Sequence, residues 1–154
     1  MTFSPALQAW EHSGDYRELK GQRHFVQVAG SGPVLLLLHG FPTSSADWAP
    51  LWPQLTAHFR CYAIDFLGFG LSAKPKRHHY SIFDQADRVE ALLRAEGVER
   101  YHILAHDIGD TVAQELLARQ LDGSGHGVID RVCLLNGGLF PETHRALLTQ
   151  KLLA

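Results

Sequence analysis

In Leu104-Ala105-His106-Asp107-Ile108-Gly109, an apolar run meets a helix-patterned stretch with a carboxylate at the corner. Two roles suit an aspartate there. It is a favoured helix N-cap, and it is a nucleophile when a tight strand-to-helix elbow presents it to a substrate. The elbow demands small residues two places before and after, which Ala105 and Gly109 supply. It also leaves the Ile108 N–H at a helix amino terminus, where negative charge is stabilised. Asp107 alone leaves the two roles evenly balanced. The stretch His39-Gly40-Phe41-Pro42 tips the balance towards the nucleophile. A turn after the apolar run Val34–Leu38 can aim the Phe41 N–H at the same point and complete a two-donor oxyanion hole with Ile108. A carboxylate is ionised at neutral pH, so a nucleophilic aspartate attacks an electrophilic sp3 carbon without a base to remove a proton.

Such a site needs a sheet to hold it. Residues 15–20 and 22–29 alternate around Lys20-Gly21, the pattern of a hairpin, and Gly30-Ser31-Gly32-Pro33 forms the next turn. Residues 34–38 read as a strand buried on both faces. Further strands are expected over 61–64, ending at Asp65, and over 101–105 and 129–135. Between them apolar residues recur at helical spacing. The first set is Trp48, Leu51, Trp52, Leu55 and Phe59, with Pro50 and Pro53 confining the proline-tolerant first turn to that neighbourhood. The second is Ile82, Phe83, Ala86, Val89, Leu92 and Leu93, stopped by Gly97. The third is Ile108, Val112, Ala113, Leu116, Leu117 and Leu121. This alternation implies an α/β fold: a mostly parallel sheet with right-handed crossovers, helices on both faces and an initial β-hairpin. Ligands in such sheets bind at the carboxyl ends of strands. Three of those ends are polar or glycine-rich here: His39-Gly40-Phe41-Pro42, Asp65-Phe66-Leu67-Gly68 and His106-Asp107-Ile108-Gly109.

At 154 residues and 45% hydrophobic, the chain can bury one core. A formal net charge of -2 creates no broad positive field for nucleic acid. No apolar run approaches the roughly 20 residues of a spanning helix, and no basic-then-apolar signal opens the chain, so a cytoplasmic protein is expected. Cys61 and Cys133 lie in strand-like surroundings without CxxC spacing and read as buried free thiols. The histidines lack HxH or HExxH spacing, so neither a metal nor another cofactor is expected. Gly68-Phe69-Gly70-Leu71-Ser72-Ala73 formally fits the dinucleotide fingerprint, but Pro75 prevents the helix that fingerprint must open. These glycines read as a turn beneath the site, with Asp65 structural. The cluster Lys74, Lys76, Arg77, His78 and His79 reads as a solvated loop.

The pattern His39-Gly40-Phe41-Pro42, then Asp65-x-x-Gly68-x-Gly70-x-Ser72, then the elbow at Asp107 resembles the α/β-hydrolase family in order and spacing. Its His106-Asp107-Ile108-Gly109 is similar to the His-Asp-x-Gly elbow of the epoxide hydrolase and haloalkane dehalogenase branch. Nearly the whole chain from Trp10 onward takes part, through "HGFPTSSADW", "DFLGFGLSAKPKRHHYSIF", "HDIGDTVAQELL" and "LLNGGLFPETHRALLTQKLL". The resemblance implies an ester on Asp107, formed with a small apolar or amphipathic electrophile. A histidine oriented by a second acid then activates water, while Phe41 and Ile108 N–H groups stabilise the oxyanion.

In this family the acid and histidine come late in the chain. His126 lies in a glycine-rich loop and His144 opens the final helical segment, so neither is assigned as the base. Asn136-Gly137-Gly138 stands where some dehalogenases carry the acid. The expectation is that residues 1–140 are the amino-terminal part of the core, that 141–154 begin a lid, and that acid and base lie beyond 154. The 154 residues alone would then form the ester without turning over. Phe41 and Ile108 offer no side-chain N–H to a leaving halide, which favours an epoxide hydrolase over a haloalkane dehalogenase; a non-catalytic interaction protein of the same fold is the third reading. A sheet ending at Leu135 is expected to leave an unprotected edge.

Overall fold

The computed structural model describes residues 4–137. Strands β1 (Asp15–Leu19), β2 (Gln22–Ala29), β3 (Val34–Leu38), β4 (Arg60–Ile64), β5 (Arg100–His106) and β6 (Val128–Leu135) form a 6-stranded sheet in the order β1-β2-β4-β3-β5-β6. β2 pairs antiparallel with β1 and β4, while β3–β4, β3–β5 and β5–β6 are parallel. The α/β class, the mostly parallel sheet and the opening hairpin are as the sequence implies.

Helices cover both faces. On one side α3 (Ile82–Ala95) and α4 (Ile108–Asp122) bring Ala86, Val89, Leu92, Val112, Ala113 and Leu116 onto Leu36, Leu38, Tyr62 and Ile64. On the other, α1 (Pro5–Ser13), a 3-10 turn (Ser45–Trp48) and α2 (Trp52–Thr56) set Trp10, Trp48 and Trp52 against Leu35, Leu37, Cys61 and Ala63. β3 thus has apolar neighbours on both faces, which is why its sequence is a continuous apolar run. Complete burial of each of Leu36, Leu37 and Leu38 contributes about 1.5–3 kcal/mol. Among the described residues no helix is long and apolar enough to cross a membrane.

α3 is also pinned to the hairpin by a buried cation. Arg88, 3% exposed, donates to Asp84 at 2.9 Å, to the Leu19 carbonyl at 2.9 Å, and to His24 Nε2 at 3.4 Å. Because arginine only donates, His24 Nε2 must accept, so its proton sits on Nδ1, which faces the Asp65 carbonyl at 3.1 Å. Burial holds this imidazole below the ordinary histidine range, consistent with a neutral ring.

Several local expectations need correcting. The helix expected across Trp48–Phe59 divides into the 3-10 turn and the short α2, because Pro50 and Pro53 remove amide donors from its middle. Phe83 and Leu121, placed on apolar stripes, are 64% and 88% exposed. Cys133 is exposed, not buried. It lies on β6, the end strand of the sheet among the described residues, on the opposite face from Val132, which packs into the α3–α4 side. The basic loop is not simply solvated: Lys74 Nζ donates to the carbonyls of Phe69, Gly70 and Ser72, and His78 pairs with Asp84. Helix α1 was not foreseen, although Ser4 caps it through the Leu7 N–H and Pro5 opens it.

Candidate active site

β3 and β5 are neighbours in the sheet, with Leu38 opposite Ala105. The chain leaving each strand therefore emerges at the same edge, one delivering His39–Pro42 and the other His106–Gly109. Two glycines let them meet. A Cβ on Gly40 would lie 2.8 Å from His106 Nδ1 and 2.9 Å from Asp107 Cβ, and one on Gly109 would lie 2.5 Å from the Leu38 carbonyl oxygen. Ala105, the other small elbow residue, is fully buried.

Asp107 occupies φ 55, ψ -117, a region that costs a non-glycine residue about 1–3 kcal/mol. Its own amide holds the turn by donating to the Leu135 carbonyl at 3.1 Å. The side-chain Oδ1 accepts from the Phe41 N–H at 2.8 Å and the Ile108 N–H at 2.7 Å. An ordinary N-cap oxygen serves the second or third helical amide. Asp107 instead serves the first, Ile108, together with an amide 66 residues away in sequence. Oδ2 carries no hydrogen bond among the described residues. The sequence-predicted trio of Asp107, Phe41 and Ile108 is thus brought together at one oxygen.

The turn that carries Phe41 is itself fixed by a buried imidazole. His39 Nε2 faces the Phe66 N–H at 3.0 Å and must accept it, so Nδ1 bears the proton and donates to the Gly40 carbonyl at 2.8 Å. Burial pushes this histidine below the ordinary range, in keeping with the neutral tautomer. Asp65 is structural, as expected. Its carboxylate, 1% exposed, accepts from Ser45 and Leu71 amides at 2.6 Å each and so ties the end of β4 to both neighbouring loops.

A cleft of about 710 Å³ opens beside the two donors, lined by Phe41, Phe69, Tyr80, Ile82 and Ile108. Its polar side chains are already engaged. Gln85 exchanges two 3.0 Å hydrogen bonds with the Leu67 backbone, Ser81 caps α3 through Asp84, and the Tyr80 hydroxyl donates to Pro75 at 2.9 Å. What remains facing the cleft is apolar and aromatic, with Phe69 set edge-on to Phe41 at 6.1 Å. Away from this edge, the His126 N–H donates to Glu90 Oε1 at 3.0 Å and its Nε2 donates to the Val98 carbonyl at 2.9 Å. His144 and the expected lid, 141–154, lie outside the described residues. Sequence reasoning missed Asp110, which is fully buried below the elbow; its signal was a charge at a core-facing position of α4.

The sequence matches the alpha/beta hydrolase fold family over residues 33–151. It is 57% identical to the mesoderm-specific transcript homolog protein of Bos taurus, over 97% of this chain and 47% of that protein. The chain spans about half the length of the curated relatives it matches. Among solved structures it is similar to the haloalkane dehalogenase DbeA from Bradyrhizobium elkani USDA94, with 31% identity and a TM-score of 0.73 over 81% of this chain and 42% of that one. It is also similar to the epoxide hydrolase CorEH, with 27% identity and a TM-score of 0.72 over 90% of this chain and 48% of that one. The mostly parallel sheet with its opening antiparallel hairpin accords with this family, and the chain belongs to the alpha/beta hydrolase fold family.

Proposed function

We propose that this chain is the nucleophile-bearing part of a hydrolase acting on small apolar or amphipathic epoxides through a covalent ester on Asp107. The observation that carries the reading is the asymmetry of the Asp107 carboxylate. Oδ1 is gripped by two backbone amides, while Oδ2 keeps its lone pairs for an incoming carbon. In the first step Oδ2 bonds to a ring carbon, the ring C–O bond breaks, and the released oxygen takes a proton from an acid. In the second, water attacks the ester carbonyl carbon and a base receives its proton. Oδ1 becomes the oxyanion under Phe41 and Ile108, and its collapse expels the diol oxygen, which is protonated. Each oxyanion donor of this kind is worth about 2.7–4 kcal/mol. The acid, the base and the residue that orients the base are assigned to chain outside the described residues.

Support for an epoxide over a halide comes from the cleft. A departing halide calls for N–H donors, and the side chains at Phe41 and Ile108 have none, while Gln85 spends both ends on Leu67. The test is to incubate the 154-residue chain with styrene oxide and separately with 1-bromobutane, then map adducts by peptide mass spectrometry. A single adduct on Asp107, absent from a folded Asp107→Asn variant, is expected. An adduct that survives in Asp107→Asn, or none with either probe, would overturn the reading. An adduct from the bromide alone would transfer it to dehalogenation.

A further inference from the structure

Asp110 has no part in the reaction above, yet its side chain is 0% exposed in the first turn of α4. Buried carboxylates are ordinarily paired. Among the described residues no lysine or arginine reaches this one: Oδ1 accepts from the Leu135 N–H at 3.4 Å, and Oδ2 has no hydrogen-bond partner. Oδ2 is seated against the turn after β6, so close that a Cβ on Gly137 would lie 2.1 Å away. Leu135 is therefore held from both sides of its own backbone. Its carbonyl accepts from Asp107 N–H at 3.1 Å, and its N–H donates to Asp110. Burial pushes the Asp110 carboxyl up from the ordinary carboxylate range, and the charge of Asp107 acts in the same sense, against the opposing pull of the Leu135 amide, His106 and the nearby Gly137 amide. The neutral acid still offers Oδ1 as an acceptor, so the tie does not depend on charge.

We propose that Asp110 is a positioning residue for Asp107: its carboxyl, seated against Gly137, ties the end of β6 to the elbow and sets the direction in which Asp107 Oδ2 is presented. The proposal rests on Asp107 being the nucleophile. It explains two features together, a buried acid without a cation and a glycine at 137 whose replacement would strike that acid. It also connects the strained backbone of Asp107 to the strand that braces it. A misplacement of about 1 Å at a reacting group can cost on the order of 100-fold in rate.

The experiment measures the rate of ester formation on Asp107 with styrene oxide in four variants: Asp110→Asn, Asp110→Ala, Gly137→Ala and the double variant Asp110→Ala/Gly137→Ala. Amide hydrogen exchange at Asp107 and Leu135 is followed in each. Asp110→Asn retains the acceptor and is expected within about threefold of the parent. Asp110→Ala is expected about 10- to 100-fold slower, with faster exchange at both amides. Gly137→Ala, which displaces the carboxyl without removing it, should slow the reaction comparably. The double variant should be no slower than Asp110→Ala, because both changes break one tie. Ester formation at the parental rate in Asp110→Ala would overturn the proposal, as would an Asp110→Asn variant as slow as Asp110→Ala. If Asp110→Ala does not fold, Gly137→Ala and Asp110→Asn carry the comparison. If the parent forms no ester, the reading of Asp107 as nucleophile fails. Exchange at Asp107 and Leu135 then decides the tie alone, and unchanged protection in the variants would reject it.

Discussion

Replacing Gly109 by alanine tests whether the elbow is held by backbone contact. The added Cβ would fall 2.5 Å from the Leu38 carbonyl oxygen, 2.8 Å from its carbon and 2.9 Å from the His39 oxygen. That is about 0.9 Å short of ordinary contact, and every obstacle is main chain of β3 and the turn that follows it. No side chain can rotate away, so the start of α4 must lift from the sheet. Overpacking of this sort costs about 1–3 kcal/mol, and an immovable partner places the cost near the upper end. Alanine regains about 1 kcal/mol of helix propensity over glycine, leaving a net loss of about 2 kcal/mol. For a chain of this size that corresponds to a fall in Tm of about 4–8 °C. Urea unfolding followed by fluorescence of Trp10, Trp48 and Trp52 would measure it. The informative control is Gly123→Ala at the far end of the same helix. There the Cβ meets nothing within 4 Å but the residue sits at φ 78, so conformational strain alone costs about 1–2 kcal/mol. Both variants lose stability, and only Gly109→Ala should also slow ester formation on Asp107. A Gly109→Ala chain within about 0.5 kcal/mol of the parent, or one that alkylates at the parental rate, would refute the close-approach argument.

Two further outcomes follow from the buried charges. Arg88→Ala removes the cation that satisfies Asp84, Leu19 and His24 and should cost about 3 kcal/mol in urea unfolding, the lower end for breaking a buried pair because Asp84 is partly exposed; a loss below about 1 kcal/mol would show that water replaces it. His24 and His39 have folded pKa values below 6.5 because burial disfavours their charged forms. Their contribution is complete above pH 6.5 and is lost as pH falls below it, since the unfolded chain then binds the proton first. Asp84 and Asp87 are held below 3.8 and are silent in that window, whereas Asp110, pushed up from 3.8, works in the opposite sense. Measured in Asp110→Asn to remove that opposing contribution, unfolding free energy should therefore be smaller at about pH 5.5 than at about pH 7.5. Equal or greater stability at the lower pH would contradict the neutral tautomers assigned here.

The elbow and the glycine turn were legible because each is a local pattern at the end of a strand, where residue size and backbone freedom are set within a few positions. The alternation of apolar stretches was likewise enough for the sheet and its hairpin. What escaped depends on tertiary placement. Whether Cys133 is buried follows from which face of β6 a helix covers, and period-2 patterning does not say. Phe83 keeps helical spacing, but its neighbours Ile82 and Ala86 take the core side of α3, and Leu121 sits at the last turn of α4. Asp110 broke the apolar pattern of α4, yet a charge at one helix position carries no record of the Leu135 amide that meets it. The sequence also favours Lys74 as solvated, and only the returning loop brings three carbonyls to its ammonium.

The two amides at Asp107 Oδ1 belong to chain segments leaving adjacent strands, so their separation is inherited from the lateral spacing of a parallel sheet, about 4.8 Å. That spacing is common to every such pair of strands and is insensitive to what the loops carry. The cleft, by contrast, takes Phe69 and Tyr80 from the connection between β4 and α3. Chemistry and selectivity are therefore separable in inheritance at those two positions: drift at Phe69 and Tyr80 can reshape which electrophile fits, whereas Phe66, whose N–H holds His39 and with it the Phe41 turn, is tied to the group that attacks.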